Sequence, residues 1–287
     1  MAAASSLPAY ETEEQIIRVD THGGIITKLA KVKLVDSENR SVMLKILLLI
    51  NTKNVESFKK EILITSQLDH KNISKFIADG NTGDRLAYMV EYASDKSLRE
   101  LIKDNPDEFD IPKFFTLAPQ AACAVDYLHS LQDQVIHGDL RSSNFFLTAK
   151  GILKLFGFGF AKVHRNVGVV GDFTTKESPS EESRVRWQAP EALGEERTVS
   201  PKSDIWSLCC FFSEMLVKVI PFHDLESGQL KLKLMAAIRN NTKPFDLSSH
   251  ETDLRQFVEK GYHANPEERH DIKAVLSGLE ELKEYRG

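Results

Sequence analysis

Cysteine is scarce in this chain and poorly placed for chemistry. Only Cys123, Cys209 and Cys210 occur among 287 residues. Their number is odd, two are adjacent, and none has metal-ligand spacing to a histidine. A disulfide framework and a zinc site are both disfavoured, which leaves reduced, mostly buried thiols. Long apolar runs are missing too: none approaches the ~18 residues of a membrane span. The opening stretch MAAASSLPAY lacks the charged and apolar regions of a signal peptide, and Ala2 excludes myristoylation. A cytoplasmic protein with no membrane span is expected. Nor does one sign of charge dominate. Lys plus Arg is 37 and Asp plus Glu 42, a formal net charge of -5, so nothing draws the chain in bulk toward nucleic acid or anionic membrane.

What is present suits a globular protein. Hydrophobic content of 41% and charged content of 28% exclude wholesale disorder. At ~100–200 residues per domain the length allows one or two units. No internal repeat is found, and residues 1–12 read as a mobile tail. Short β-rich runs follow at Ile16–Val19, Ile25–Val35, Val42–Ile50 and Leu86–Tyr92, separated by turn material such as Asn81-Thr82-Gly83-Asp84. One amphipathic helix, Asn54–Leu68, interrupts them, with Phe58, Ile62, Thr65 and Leu68 at helical spacing. After Tyr92 helices dominate: Leu98–Asp104, Ile111–Ser130, Lys202–Lys218, Leu230–Asn240, Glu251–Tyr262 and His270–Tyr285. A hairpin is expected over Phe145–Leu155, and Val163–Arg184 has the composition of a long loop.

The stretch His137-Gly138-Asp139-Leu140-Arg141-Ser142-Ser143-Asn144 resembles the protein-kinase catalytic loop, H-R-D-L-x-x-x-N. Further matches follow the family's order. Val42-Met43-Leu44-Lys45 resembles V-A-I-K, Glu61 sits where a paired helix supplies its glutamate, and Ala189-Pro190-Glu191 matches A-P-E. Ser203-Asp204-Ile205-Trp206-Ser207 resembles the next helix, and Arg269 stands where a late arginine pairs with the A-P-E glutamate. The resemblance implies an α+β, bilobal protein-kinase-like fold, with a small β-rich N-lobe holding one main helix and a larger, mainly helical C-lobe. It places the domain at about 13–287, the N-lobe at about 13–90, a hinge at about 91–95, the C-lobe at about 96–287 and an activation segment at about 157–191. By the same resemblance Lys45 and Glu61 form an ion pair that serves the ATP phosphates. Asp139 is the base position and Asn144 a metal ligand. Asp204 holds the catalytic-loop backbone, and Glu191 with Arg269 is structural.

The departures are equally specific. Where the family has D-F-G, this chain has Gly157-Phe158-Gly159. Glycine has no side chain to ligate Mg²⁺. Of the phosphate-covering glycines only Gly23 serves, because Ile25 and Lys28 take the later places. Met43 replaces the small alanine that roofs adenine, Phe146 replaces the leucine floor, and Ala30 returns some volume. Val90, Glu91 and Ala93 fall where the hinge meets the base. Overpacking of this kind typically costs about 1–3 kcal/mol. Gly138 removes the arginine that grips an activation-loop phosphate, although Thr174, Thr175, Ser178, Ser180 and Ser183 remain available for modification. These departures resemble the pseudokinases, and the run from His137 to Phe145 with Gly157-Phe158 is similar to the pseudokinase domain of the mixed lineage kinase domain-like family. The chain differs from that family in keeping Asp139 and in showing no N-terminal helical bundle.

The resemblance therefore implies a catalytically impaired signalling module. It would switch conformation and bind protein partners, with weak ATP binding and impaired Mg²⁺ binding. The alternative is a slow or unconventional ATP-dependent protein kinase using Lys45, Asp139 and Asn144. A kinase-fold enzyme acting on a small molecule is a third class.

Overall fold

The structure, a computed structural model, describes residues 7–22, 25–35, 40–48, 51–165, 168–170, 184–194, 197–226 and 228–285. In chain order the strands are β1 (Tyr10–His22), β2 (Ile25–Leu34), β3 (Ser41–Leu47), β4 (Phe76–Thr82), β5 (Arg85–Glu91), β6 (Gln134–Ile136), β7 (Phe145–Leu147), β8 (Leu153–Leu155), β9 (Lys162–Arg165) and β10 (Gly168–Val170). The α-helices among the described residues are α1 (Thr52–Ser66), α2 (Leu98–Asp104), α3 (Ile111–Ser130), α4 (Pro190–Leu193), α5 (Pro201–Val217), α6 (Leu230–Arg239), α7 (Thr252–Gly261) and α8 (Ile272–Glu284). The chain divides into two compact units. Residues to Lys96, joined by Phe146–Gly159, form the first; Ser97–Phe145 and most of the chain from Phe160 onward form the second.

The first unit is built on an antiparallel sheet of order β1-β2-β3-β5-β4. Its central strand β3 is apolar along nearly its whole length because both faces are covered. Val42, Leu44 and Ile46 pack one way with Val32, Leu34, Ala87 and Met89. Met43 and Leu47 pack the other way with Leu29, Phe58 and Val90. That two-residue alternation puts Lys45 on the second face. Helix α1 is capped by the Asn51 side chain, which accepts from the Asn54 amide at 2.9 Å.

Three expectations need adjusting here. Strand β1 starts at Tyr10, inside the stretch expected to be a tail, because Val35 N–H donates to the Ala9 carbonyl at 2.9 Å and the Tyr10 hydroxyl lies 2.7 Å from Thr82 Oγ1. Strand β4 lies where no β-rich run is read, and the expected turn Asn81-Thr82-Gly83-Asp84 narrows to Gly83-Asp84 because β4 pairs with β5 through Thr82 at the sheet edge. Finally, Phe146–Gly159 clusters with the first unit, not with the helical part expected from residue 96 onward. The cause is backbone pairing with residues 72–74. Leu155 N–H donates to the Asn72 carbonyl at 2.8 Å, Ser74 N–H to the Leu155 carbonyl at 3.0 Å, and Asn72 Nδ2 to the Leu153 carbonyl at 2.9 Å.

The second unit is organised by α3 and α5. Asp110 caps α3 through a 2.8 Å bond from the Lys113 amide. Helix α5 is buried from Ser203 to Leu216. It opens with Ser200 and Pro201, a favoured entry, and closes at Lys218, whose φ is +64. The Lys218 amine donates to the carbonyls of Phe109, Met215 and Leu216 at 2.5, 2.9 and 2.8 Å. It thereby satisfies orphan acceptors at the helix end, and burial lowers its pKa. Strand β9 pairs with β6 and β10 inside the stretch expected as loop. Thr174, Thr175, Ser178, Ser180 and Ser183, like Gly23, lie outside the described residues.

Helix α7 approaches α5 at Gly261, where a Cβ would stand 2.0 Å from Cys209 Sγ. Removing a glycine from a helix normally stabilises it by about 0.5–1 kcal/mol. Here Gly261→Ala should instead destabilise by about 1–3 kcal/mol through overpacking. Urea midpoints check this, and adding Cys209→Ala should return part of the loss.

Candidate active site

In the first unit, the two-residue period of β3 and the helical period of α1 bring Lys45 and Glu61 together. Lys45 Nζ lies 2.6 Å from Glu61 Oε1, and the residues are 5% and 4% exposed. Tyr88, the cross-strand partner of Lys45 in β5, donates its hydroxyl to the same oxygen at 2.8 Å. Its ring lies 5.5 Å from that of Phe58. Nothing in the sequence singled out Tyr88; only the β3–β5 register reveals it. The carboxylate's other oxygen, Oε2, is 3.3 Å from where a Cβ on Gly159 would stand, so the second glycine of Gly157-Phe158-Gly159 makes room for Glu61.

The residues assigned to adenine recognition sit in the same unit. Met43, Val90, Ala93 and Phe146 all belong to one buried cluster with Leu29 and Phe156. Phe146 and Phe156 have ring centroids 4.8 Å apart. Glu91 is engaged at both ends. Its Oε2 lies 2.7 Å from Lys154 Nζ, and its carbonyl accepts from the Ser74 hydroxyl at 3.1 Å. Gly157 adopts φ +86, the left-handed region.

The second unit holds Asp139, Asn144, Asp204, Glu191 and Arg269. Asn144 Nδ2 donates to both the carbonyl and Oδ2 of Asp139, each at 2.8 Å, and Arg141 Nε lies 3.2 Å from Asp139 Oδ1. Asp204 accepts from the amides of His137 and Gly138 at 2.8 and 2.9 Å, and His129 Nε2 is 2.9 Å from it. Arg269 grips Glu191 with two bonds of 2.7 and 2.9 Å. Sequence inspection passed over Glu214. It is fully buried and accepts from Ser142 Oγ at 2.6 Å, Arg99 Nη1 at 2.9 Å and Trp187 Nε1 at 3.0 Å. An acidic residue inside the apolar run Phe211-Phe212-Ser213-Glu214-Met215-Leu216 was the signal available. Burial raises its pKa, and Arg99, Ser142 and Trp187 oppose that rise.

Residues 27–278 match the family described as the protein kinase domain. The chain belongs to that family. The kinase domain is similar to the serine/threonine-protein kinase BCK1/SLK1/SSP31 of Saccharomyces cerevisiae, 26% identical over 262 residues, covering 91% of this chain and 16% of that protein. It is 30% identical over 229 residues to MAP3K epsilon protein kinase 2 of Arabidopsis thaliana, covering 79% of this chain and 16% of the relative. It is likewise 30% identical over 225 residues to mitogen-activated protein kinase kinase kinase 9 of the same plant, covering 78% and 27%. The chain thus spans 16–27% of the length of these curated relatives.

Two outcomes are expected of this kinase domain. Lys45→Met leaves a buried carboxylate without its cation and should destabilise by about 3–5 kcal/mol. The Lys45→Met, Glu61→Gln double variant should be closer to wild type than the single changes sum to, as a double-mutant cycle in urea would read. For Glu214 the folded pKa is raised, so its contribution is fully present below the unfolded value of 4.5 and is lost as pH rises through the folded value. The stability of wild type relative to Glu214→Gln should therefore fall as pH is raised from that value, as urea titrations across the range would show.

Proposed function

We propose that this kinase domain is a pseudokinase signalling module, impaired in phosphotransfer, that works by changing shape and binding protein partners. Gly157 carries the proposal. Protein kinases rely on Mg²⁺ to bridge the β- and γ-phosphates and neutralise developing charge. At the position of its principal ligand this chain offers no oxygen. Asn144 donates its amide nitrogen to Asp139, which leaves its amide oxygen as the ligand atom, and the Asp139 carboxylate is paired with Arg141. Without a carboxylate at 157 this donor set falls short of the Mg²⁺ site of an active kinase. The burial of Met43 and Phe146 in one cluster supports weak nucleotide binding, and the lost ligand at 157 is the ground for expecting it to be metal-independent. On this reading 91–95 is the hinge, 157–191 the activation segment, Glu191–Arg269 and Asp204 are architecture, and Asp139 persists as a loop-closing group.

The printed names of the relatives, MAP kinase kinase kinases among them, favour a place in a protein-kinase cascade, with protein rather than nucleic-acid partners. The similarity of residues 137–145 and 157–158 to the mixed lineage kinase domain-like pseudokinases points the same way. No described helix is long and apolar enough to cross a membrane. One observation favours the runner-up, a slow kinase: the Lys45–Glu61 pair is fully formed.

Calorimetry with ATP and EDTA, then with excess Mg²⁺, separates the two. Affinity should change less than about threefold, where a metal-bridged phosphate site gains far more. A large Mg²⁺-dependent gain would overturn the proposal. Purified protein should show no phosphotransfer that Asp139→Asn abolishes; activity lost on that substitution would make this a working kinase. Gly157→Asp should add Mg²⁺ dependence, since aspartate tolerates the left-handed region better than most residues.

A further inference from the structure

Gly138 occupies the place of the family's arginine, and the backbone shows why a side chain is unwelcome there. Its φ is +71, and a Cβ would lie 3.0 Å from the Phe160 carbonyl oxygen and 3.8 Å from the Phe160 Cβ. Carbonyl oxygens do not yield as a flexible side chain would, so position 138 is closed by residue 160. A guanidinium is nevertheless present at this place. Arg184 donates from Nη1 to the Gly138 carbonyl at 3.3 Å, and its guanidinium carbon lies 3.7 Å from the Phe160 ring centroid. That separation is a face-on stack, the geometry in which a planar cation gains from the ring quadrupole. Three stretches of the second unit thus meet at one side chain: the catalytic-loop turn, the residue just after Gly157-Phe158-Gly159, and the chain shortly before Ala189-Pro190-Glu191.

We propose that Arg184 is a replacement anchor. It supplies from the activation segment itself the guanidinium that Gly138 lacks, and it holds the segment's far end to the catalytic loop through the Phe160 ring. An arginine on the catalytic loop would wait for a phosphate brought by the segment. An arginine on the segment, stacked on an aromatic ring and bonded to a main-chain carbonyl, holds the same stretches together with no phosphate. The proposal rests on the pseudokinase reading for its meaning, since it describes how such a module keeps one arrangement without a modification. Arg184 is a positioning residue and touches no substrate.

Hydrogen exchange of the full chain, without nucleotide or metal, tests it. Arg184→Ala should speed amide exchange over 160–165 by about 2- to 5-fold, the factor that a partly exposed cation–aromatic contact supports. Phe160→Leu should do the same, and combining the two should add little. Phe160→Tyr, which keeps the ring face, should retain wild-type protection, and Arg184→Lys should fall between. A purely space-filling role for Phe160 would not distinguish Tyr from Leu in this way. Thermal midpoints should move little, and phosphatase treatment of the wild type should leave exchange unchanged. Gly138→Arg should lower stability instead of tightening the segment.

Wild-type exchange in Arg184→Ala would overturn the proposal. So would equal exchange in Phe160→Tyr and Phe160→Leu, or opening of the segment on phosphatase treatment. Because no ATP or Mg²⁺ enters the experiment, failure here leaves the calorimetric test standing, and failure there leaves this one standing.

Discussion

The second unit depends on two carboxylates that water cannot reach. Asp204 and Glu214 lie on α5, which is buried along nearly its whole length. A charge so placed must be met by donors or it costs several kcal/mol. The donors come from everywhere else: two catalytic-loop amides and His129 for Asp204; Arg99, Ser142 and Trp187 for Glu214. Because the donors come from four separate stretches, satisfying the two carboxylates fixes α2, the end of α3, the catalytic loop and the segment before α4 relative to one helix. The geometry of Asp139 and Asn144 is inherited from that arrangement.

The glycines that depart from the family pattern are each constrained within their own unit. Gly138 is pressed by the Phe160 carbonyl, and Gly157 has a left-handed φ. Losing an arginine at one of them and an aspartate at another is therefore more than the deletion of two charges. Each loss is accompanied by a left-handed φ that most side chains would strain, and at position 138 the Phe160 carbonyl adds a close approach.

Features set by short-range pattern were legible in the sequence. The apolar neighbours of Lys45 marked a central strand, and the helical stretch Ile111–Ser130 is α3 with the bounds found. Asp139 and Asn144, five residues apart in the catalytic loop, meet through a hydrogen bond. Contacts that depend on which distant strands and helices meet were not legible. Asn81-Thr82-Gly83-Asp84 carries turn chemistry, yet its first two residues lie in β4 because β5 offers an edge. The allegiance of Phe146–Gly159 follows from main-chain bonds to Asn72 and Ser74, and such bonds leave no side-chain signature. Tyr88, Glu214 and Arg184 each became meaningful only once a partner far along the chain was in place.

Helix α5 conceals its sulfur as thoroughly as its charge. Cys209 and Cys210 are fully buried, and burial pushes the Cys209 thiol up to about 12. The thiolate is the form that oxidants and electrophiles attack. At neutral pH such a thiol stays protonated. Of the three cysteines only Cys123, half-buried on α3, is within a reagent's reach. Oxidative stress or a thiol-directed probe would therefore read this protein at one position on its surface, and the adjacent pair at its centre would stay silent.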